Sequence, residues 1–243
     1  MPHMEKMIAQ LIRLYLMPGT IVPAALEPQL QGGQTQAVPL VSNEGLTRAI
    51  VIDFPRVPGD ESRHWTQLCE VANALQEKLG FPAPAVSITG GNSFRLWISL
   101  LEPVPVADVR RFLSLLRTAY FPELALHADS TVELPPCLHQ ATGKWAAFIH
   151  PGMGASFAGE EGLEMAPPAA AQLAFLEGLE SIGTTKLQEA MAAMHRPREA
   201  VSTLAPLAAP PDGLLLKDAT LEDIVRHLHA LNIEPTFRHM LPR

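Results

Sequence analysis

Cysteine is scarce in this chain of 243 residues, which contains only Cys69 and Cys137 and no CxxC pair. Neither a disulfide framework nor a cysteine-based zinc site is therefore indicated. Long apolar runs are also missing, because no segment approaches the ~18 residues that a membrane span needs. The N-terminus lacks the basic-then-apolar layout of a secretory signal. We therefore expect a globular, cytoplasmic protein that does not contact a membrane.

Several catalytic motifs are absent as well. The sequence has no P-loop and no Gly-x-Ser-x-Gly, which removes the basis for a P-loop NTPase or a serine hydrolase. The nine histidines include no HExxH motif that would indicate a zinc site, and His227 and His229, which lie beside Arg226, are typical of the solvated face of the terminal helix. The net charge of −7 argues against an overall basic nucleic-acid surface, although it leaves room for a local basic groove.

What the chain does have is a succession of short elements, punctuated by 23 prolines. Apolar periodicity predicts, in order, a helix, a strand, a helix, a strand and a helix. The predicted segments are 4–17, 48–56, 62–79, 93–100 and a helix within 102–124. Two further strands are predicted within 125–134 and 144–152, followed by an Ala-rich helical region from about 168 to 195 and a short terminal helix.

This order predicts an α+β fold in which helices pack on one side of a sheet. We place a first domain at residues 1–165 and a small helical C-terminal region at 166–243, with a Pro-rich linker near 197–213. Apolar residues in the helical region either belong to the core or bind a protein partner. They are Leu173, Phe175, Leu176, Leu179 and Ile182.

Asp53 is the first candidate site residue, because a carboxylate within the apolar strand "RAIVIDFPR" is costly unless it binds a cation or a metal, or lies at a solvated strand end. The strand "SFRLWISL" supplies the second set. Phe94 and its apolar partners alternate there with Arg95, Trp97 and Ser99, so that the latter three share a face.

The face that carries Arg95 has two interpretations. Arginine suits phosphate and tryptophan can stack on a base, so the face could bind nucleotides. Alternation of this kind is also typical of an ordinary solvated strand face. The preceding Gly-Gly-Asn turn, which ends in Asn92, could approach a phosphate or be only a turn. Asp129 and Glu133 form a third pair that could complete a metal site or lie in a charged loop.

Four segments together resemble the catalytic core of the archaeo-eukaryotic primase superfamily, especially primase-polymerase-like domains of plasmids, phages and bacterial conflict systems. The resemblance covers roughly residues 30–155. It is most specific from Thr89 to Leu116, where a Gly-Asn turn, a Leu-Trp-Ile strand, a "PVP" connector and an Arg-rich helix follow one another. The segments are "LQGGQTQAVPL", "RAIVIDFPR", "ITGGNSFRLWISLLEPVPVADVRRFLSLL" and "VELPPCLHQATGKWAAFIHPGMG".

The resemblance implies an RRM-like primase-polymerase sheet and a set of site residues. Asp53 takes the position of the first metal-binding acid, Pro55 replaces the second, and Arg95 replaces a phosphate-contacting histidine. Glu133, which has the better local context, or Asp129 would be the third acid. The segment "GKWAAFIHPG" would line the nucleotide or template groove, which adds Lys144 and His150 as binding candidates.

Three hypotheses follow from this resemblance. A degenerate primase-like domain would bind nucleotides or single-stranded DNA or RNA in a replication, mobile-element or defence assembly, without a cofactor. An active DNA primase or polymerase, a nucleotidyltransferase, would instead hold Mg²⁺ or Mn²⁺ at a rearranged site of Asp53 and Glu133. A non-catalytic interaction subunit would use the fold as a scaffold. The broken acid pair favours the first hypothesis, because removing one of three clustered ligands usually cripples metal binding.

Overall fold

The computed structural model describes residues 2–60, 62–157 and 161–195, all of which belong to one compact unit, 1–196. The helices are α1 (Pro2–Tyr15), α2 (Pro23–Leu30), α3 (Arg63–Glu77), α4 (Val106–Tyr120), α5 (Ala169–Glu177) and α6 (Thr184–His195), with a 3-10 helix at Pro151–Phe157. The strands are β1 (Ala37–Pro39), β2 (Leu46–Pro55), β3 (Ala85–Ile88), β4 (Ser93–Pro105), β5 (Thr131–Glu133), β6 (Cys137–Leu138) and β7 (Trp145–Ile149).

A five-stranded antiparallel sheet forms the centre of the fold, in the order β2-β4-β3-β7-β6. β1 and β5 pair in a separate two-stranded sheet. In the large sheet β2 lies at one edge and pairs with β4, so that Asp53 is directly opposite Arg95. The mixed α/β architecture predicted from the sequence is therefore confirmed, and so are the two long strands β2 and β4.

Local sequence explains the elements that flank this sheet. In α3 the buried Leu68, Val71 and Leu75 recur at the three- and four-residue spacing of a helix face. The chain leaves α3 through Gly80, whose positive φ of 63° is a conformation that glycine adopts readily. Pro105 directly precedes α4, where it ends the extended segment and begins the helix.

Each face of the sheet has its own apolar core. On the first face the predicted stripes of β2 and β4 meet α3, α4 and α6, and Ile52, Phe94 and Leu96 are at most 1% exposed. On the second face Val51 and Trp97 pack beneath α1 and α5. The predicted placement of the helices on one side of the sheet is thus wrong, because the apolar face of α1 needs a partner and finds it on the second face.

The predicted helical region 168–195 consists of two helices, because the chain breaks after α5 at Gly178 and resumes at Thr184. Leu173 and Leu176 of α5 pack in the second core together with α1, and Ile182 packs in the first. These three side chains are at most 5% exposed and fill the chain's own core, whereas Phe175 and Leu179 are only partly buried against the second core.

Two predicted features lie outside the described residues, namely the Pro-rich linker near 197–213 and the short terminal helix. The proposed division at residue 165 stays a prediction. None of the helices in the described part of the chain combines the length and the apolar character required to cross a bilayer.

Candidate functional site

A polar cluster interrupts the second face of the sheet where Asp53 and Arg95 lie opposite each other on β2 and β4. Arg95 donates a hydrogen bond from Nε to Asp53 Oδ1 over 3.2 Å, which is also an ion pair. Ser93, two residues earlier on the same face of β4, donates from Oγ to the same carboxylate oxygen over 2.9 Å. The strand register therefore fixes the Asp53 carboxylate between two donors.

Asp129 completes this cluster from the segment that runs beside the edge strand. Its backbone N–H donates to the carbonyl of Val51 over 2.9 Å, and its Oδ2 lies 3.9 Å from Arg95 Nε. Burial raises the pKa of Asp129 above its ordinary value, the Arg95 charge opposes this shift, and the Asp53 charge adds to it. One guanidinium thus faces two carboxylates.

Arg95 retains unused hydrogen-bonding capacity. The hydrogen bond to Asp53 and the ion pair with Asp129 both involve Nε, and within the described part of the chain the two terminal nitrogens donate no hydrogen bond. The side chain is 19% exposed, and those of Asp53 and Asp129 are 32% and 33% exposed. The cluster therefore presents a cation of fixed orientation to solvent, with the fork geometry that binds phosphate oxygens.

The structure contradicts the prediction that Trp97 and Ser99 belong to an accessible binding face. Trp97 is 1% exposed, packs against Tyr15 and Phe148, and donates from Nε1 to Ser87 Oγ over 2.8 Å. Ser99 is 5% exposed and donates to the carbonyl of Leu14 over 2.8 Å. Both side chains are part of the interface between the sheet and α1, so neither can stack on a base or contact a phosphate there.

The other predicted residues do not join the cluster through any contact that we observe. Burial and the Glu133 carboxylate raise the pKa of the Cys137 thiol to about 12, and the Arg95 charge opposes this shift. Asn92 is exposed in the turn before β4. Lys144 Nζ is 3.7 Å from Glu164 Oε1, and the exposed His150 accepts at Nδ1 from the backbone N–H of Gly152.

Within the described residues, no group of three or more His, Cys, Asp or Glu side chains is placed to hold a metal ion. The Arg95 guanidinium also lies beside the two carboxylates that a divalent cation would need.

Sequence reasoning missed the contribution of Ser93. The signal was available, because Ser93 lies two positions before Arg95 and alternation places both on one face. Its approach to Asp53 depends on the register of β2 against β4, which the sequence alone does not specify.

The sequence matches no protein-family model and no curated protein sequence. Among solved structures it is similar to the archaeo-eukaryotic primase domain of the cyanophage S-2L primase-polymerase, with 17% identity, a TM-score of 0.36, and coverage of 64% of this chain and 77% of that one. It is also similar to the polymerase domain of Mycobacterium tuberculosis ligase D in complex with DNA. That match has 18% identity, a TM-score of 0.36, and coverage of 66% of this chain and 59% of the ligase domain.

Proposed function

We propose that this chain binds nucleotides or single-stranded nucleic acid through a phosphate group that Arg95 contacts. One observation carries the proposal: Asp53 and Asp129 face Nε of Arg95, while its two terminal nitrogens donate no hydrogen bond to the described residues. A guanidinium held in this way loses little conformational entropy when it forms a bidentate contact with phosphate. The setting we propose is a replication, mobile-element or defence assembly.

Binding without synthesis is the form of this function that the residues favour. Two-metal nucleotidyl transfer needs several carboxylates that are free to hold cations. Here the Asp53 and Asp129 carboxylates already face a permanent positive charge, and Pro55 provides no further acid on β2. We therefore propose that the metal site of a primase-polymerase-like domain is impaired in this chain.

The direct test measures binding of labelled nucleoside triphosphates and labelled single-stranded oligonucleotides to the full chain. We expect Arg95→Ala to weaken both by about tenfold or more, because a charge-assisted bidentate contact is lost. Arg95→Lys, which keeps the charge but not the fork, should retain part of the affinity. Arg13→Ala, which removes an exposed arginine of α1, is the matched control and should bind like the parent.

Two outcomes would overturn the proposal. If the parent protein binds neither probe, or if Arg95→Ala binds both as tightly as the parent, the assignment is wrong. Primer extension with Mg²⁺ or Mn²⁺ that is lost in Asp53→Ala would instead establish an active nucleotidyltransferase and contradict the impaired metal site.

A further inference from the structure

A second polar site lies at the edge of the sheet, in a cleft between α4 and segment 126–130. The cleft encloses a cavity of about 310 Å³. Arg110, Ser114 and Arg117 of α4 form one wall, and His127 and Asp129 belong to the other. Spacings of four and three residues place the three α4 side chains on one helix face, and all three are exposed.

The α4 wall carries positive charge in a chain whose net charge is −7. Arg110 and Arg117 are seven residues apart, which corresponds to about 10 Å along a helix axis. Arg110 makes no hydrogen bond or ion pair with the described residues, and Arg117 reaches only the carbonyl of Pro122, at 3.5 Å. Because these two arginines make so few contacts with the described residues, their charges can attract successive anionic groups of a ligand.

The remaining surface of the cleft is largely apolar, because Val109 and Leu113 of α4 and Leu126 opposite them contribute to it. A volume of about 310 Å³ is at the small end of ligand clefts, which suits one flat ring and excludes a duplex. An apolar floor beside a cationic wall matches a ligand that joins a flat aromatic base to a charged backbone. A purely anionic peptide would leave the apolar part of the cleft unused.

Asp129 connects this cleft to the cluster on the sheet, because it lines the cleft and lies 3.9 Å from Arg95 Nε. We infer that the cleft binds a single-stranded nucleic acid along its sugar-phosphate backbone, with Arg110 and Arg117 contacting phosphates and a base entering the cavity. This inference rests on the proposed function, since Arg95 would bind a phosphate of the same strand.

The experiment measures binding of a thymidine nucleotide and of oligothymidylates of increasing length to the full chain over a range of salt concentrations. We expect affinity to rise with length in the parent. Arg110→Ala/Arg117→Ala should lose that rise and bind long oligothymidylate about tenfold more weakly, a larger loss than for the mononucleotide. The loss of two phosphate contacts should also reduce the salt slope of log affinity by about 1.4.

Arg111→Ala is the matched control, because Arg111 is an exposed arginine of the same helix that does not line the cleft. It should bind like the parent.

If the double variant binds long oligothymidylate like the parent while Arg95→Ala does not, the cleft assignment is wrong and the proposed function stands. If the parent binds neither mononucleotide nor oligonucleotide, the proposed function itself fails. Equally tight, Arg110/Arg117-dependent binding of polyglutamate would also overturn the assignment.

Discussion

At the scale of single residues, Arg95 acts as an internal counterion for two acids. Its Nε atom lies 3.2 Å from Asp53 and 3.9 Å from Asp129, so its charge offsets their mutual repulsion. The same contacts compete with any external cation, because a divalent ion would have to displace a guanidinium that the strand register holds in place.

Removal of this charge should create affinity for metal. In Arg95→Ala the Asp53 and Asp129 carboxylates would have no cationic partner of this kind, and oxygen ligands of that type attract Mn²⁺. We expect the variant to bind Mn²⁺ about tenfold more tightly than the parent, as measured by titration calorimetry. Arg95→Lys retains a cation and should resemble the parent. Equal Mn²⁺ affinity in Arg95→Ala and the parent would contradict the counterion role.

Asp129 should also affect how the free energy of unfolding depends on pH. Because burial raises its pKa in the folded protein, the folded state binds the proton more tightly than the unfolded chain. This residue's contribution to stability therefore falls as the pH rises from the ordinary value of 3.8 to the higher folded pKa. Asp129→Asn has no such titration.

Urea unfolding of the parent and of Asp129→Asn over a series of acidic pH values measures this effect, because the other acids contribute similarly to both proteins. We expect the parent to lose stability relative to the variant as the pH rises through that window. A relative gain by the parent would show that Arg95 outweighs burial at this carboxylate.

The choice between Asp129 and Glu133 shows where sequence reasoning stops at this scale. Both acids occur in one short stretch, and the local context before the Pro-Pro corner favoured Glu133. The backbone contact of Asp129 with Val51, 78 positions earlier, brings Asp129 to Arg95 instead. Contacts of that kind depend on the path of the whole chain, which a local pattern does not contain.

At the scale of elements, the 3-10 helix Pro151–Phe157 lies tightly against α3. A Cβ atom built on Gly154 would be 1.8 Å from the Trp65 ring, and Trp65 in turn packs against Phe94 at a ring separation of 5.0 Å. Any side chain at position 154 therefore has to move the tryptophan or the 3-10 helix.

We expect Gly154→Ala to lower the free energy of unfolding by about 1 to 3 kcal/mol, the usual cost of overpacking. Gly178→Ala is the matched control. A Cβ atom there meets nothing closer than 3.6 Å, and φ is −80°, so we expect no loss of stability. Urea denaturation of the two variants gives the comparison, and equal stability of both would contradict the tight packing at Trp65.

A second contact between elements is the buried pair formed by His64 on α3 and Glu161. Nε2 of His64 lies 2.6 Å from Glu161 Oε1, and the two side chains are 0% and 1% exposed. The backbone carbonyl of Glu161 also accepts from Gly90 N–H at the start of the turn before β4. No local sequence pattern indicates this pair, because its members are 97 positions apart.

Hydrophobic periodicity predicted the helices and strands better than it predicted what each of them packs against. The alternation of apolar residues in β4 identified both the strand and the face that packs on α3 and α4. The other face has the same alternation whether it meets water or a helix, so its coverage by α1 was not predictable. The contact that covers this face, between Tyr15 and Trp97, joins distant parts of the chain and forms only on folding. Their ring centroids lie 5.0 Å apart.

At the scale of the whole molecule, one sheet separates two cores, and Trp97 belongs to the core formed with α1 and α5. Trp97→Ala should therefore lower the free energy of unfolding by about 3 to 5 kcal/mol, the cost of a large cavity. Chemical denaturation monitored by circular dichroism measures this loss. Nucleotide affinity under conditions where the variant is folded should match the parent, whereas a stacking role for Trp97 would make affinity fall with stability unchanged.

The arginine held between Asp53 and Asp129 also determines which conditions the proposed binding would tolerate. A protein that binds phosphate through Mg²⁺ depends on the free concentration of that ion. It releases the phosphate ligand when a chelator removes the ion. A guanidinium is part of the chain and stays charged across the physiological pH range. The attraction for phosphate at Arg95 would therefore persist when divalent ions are scarce, and ionic strength would be its main external control.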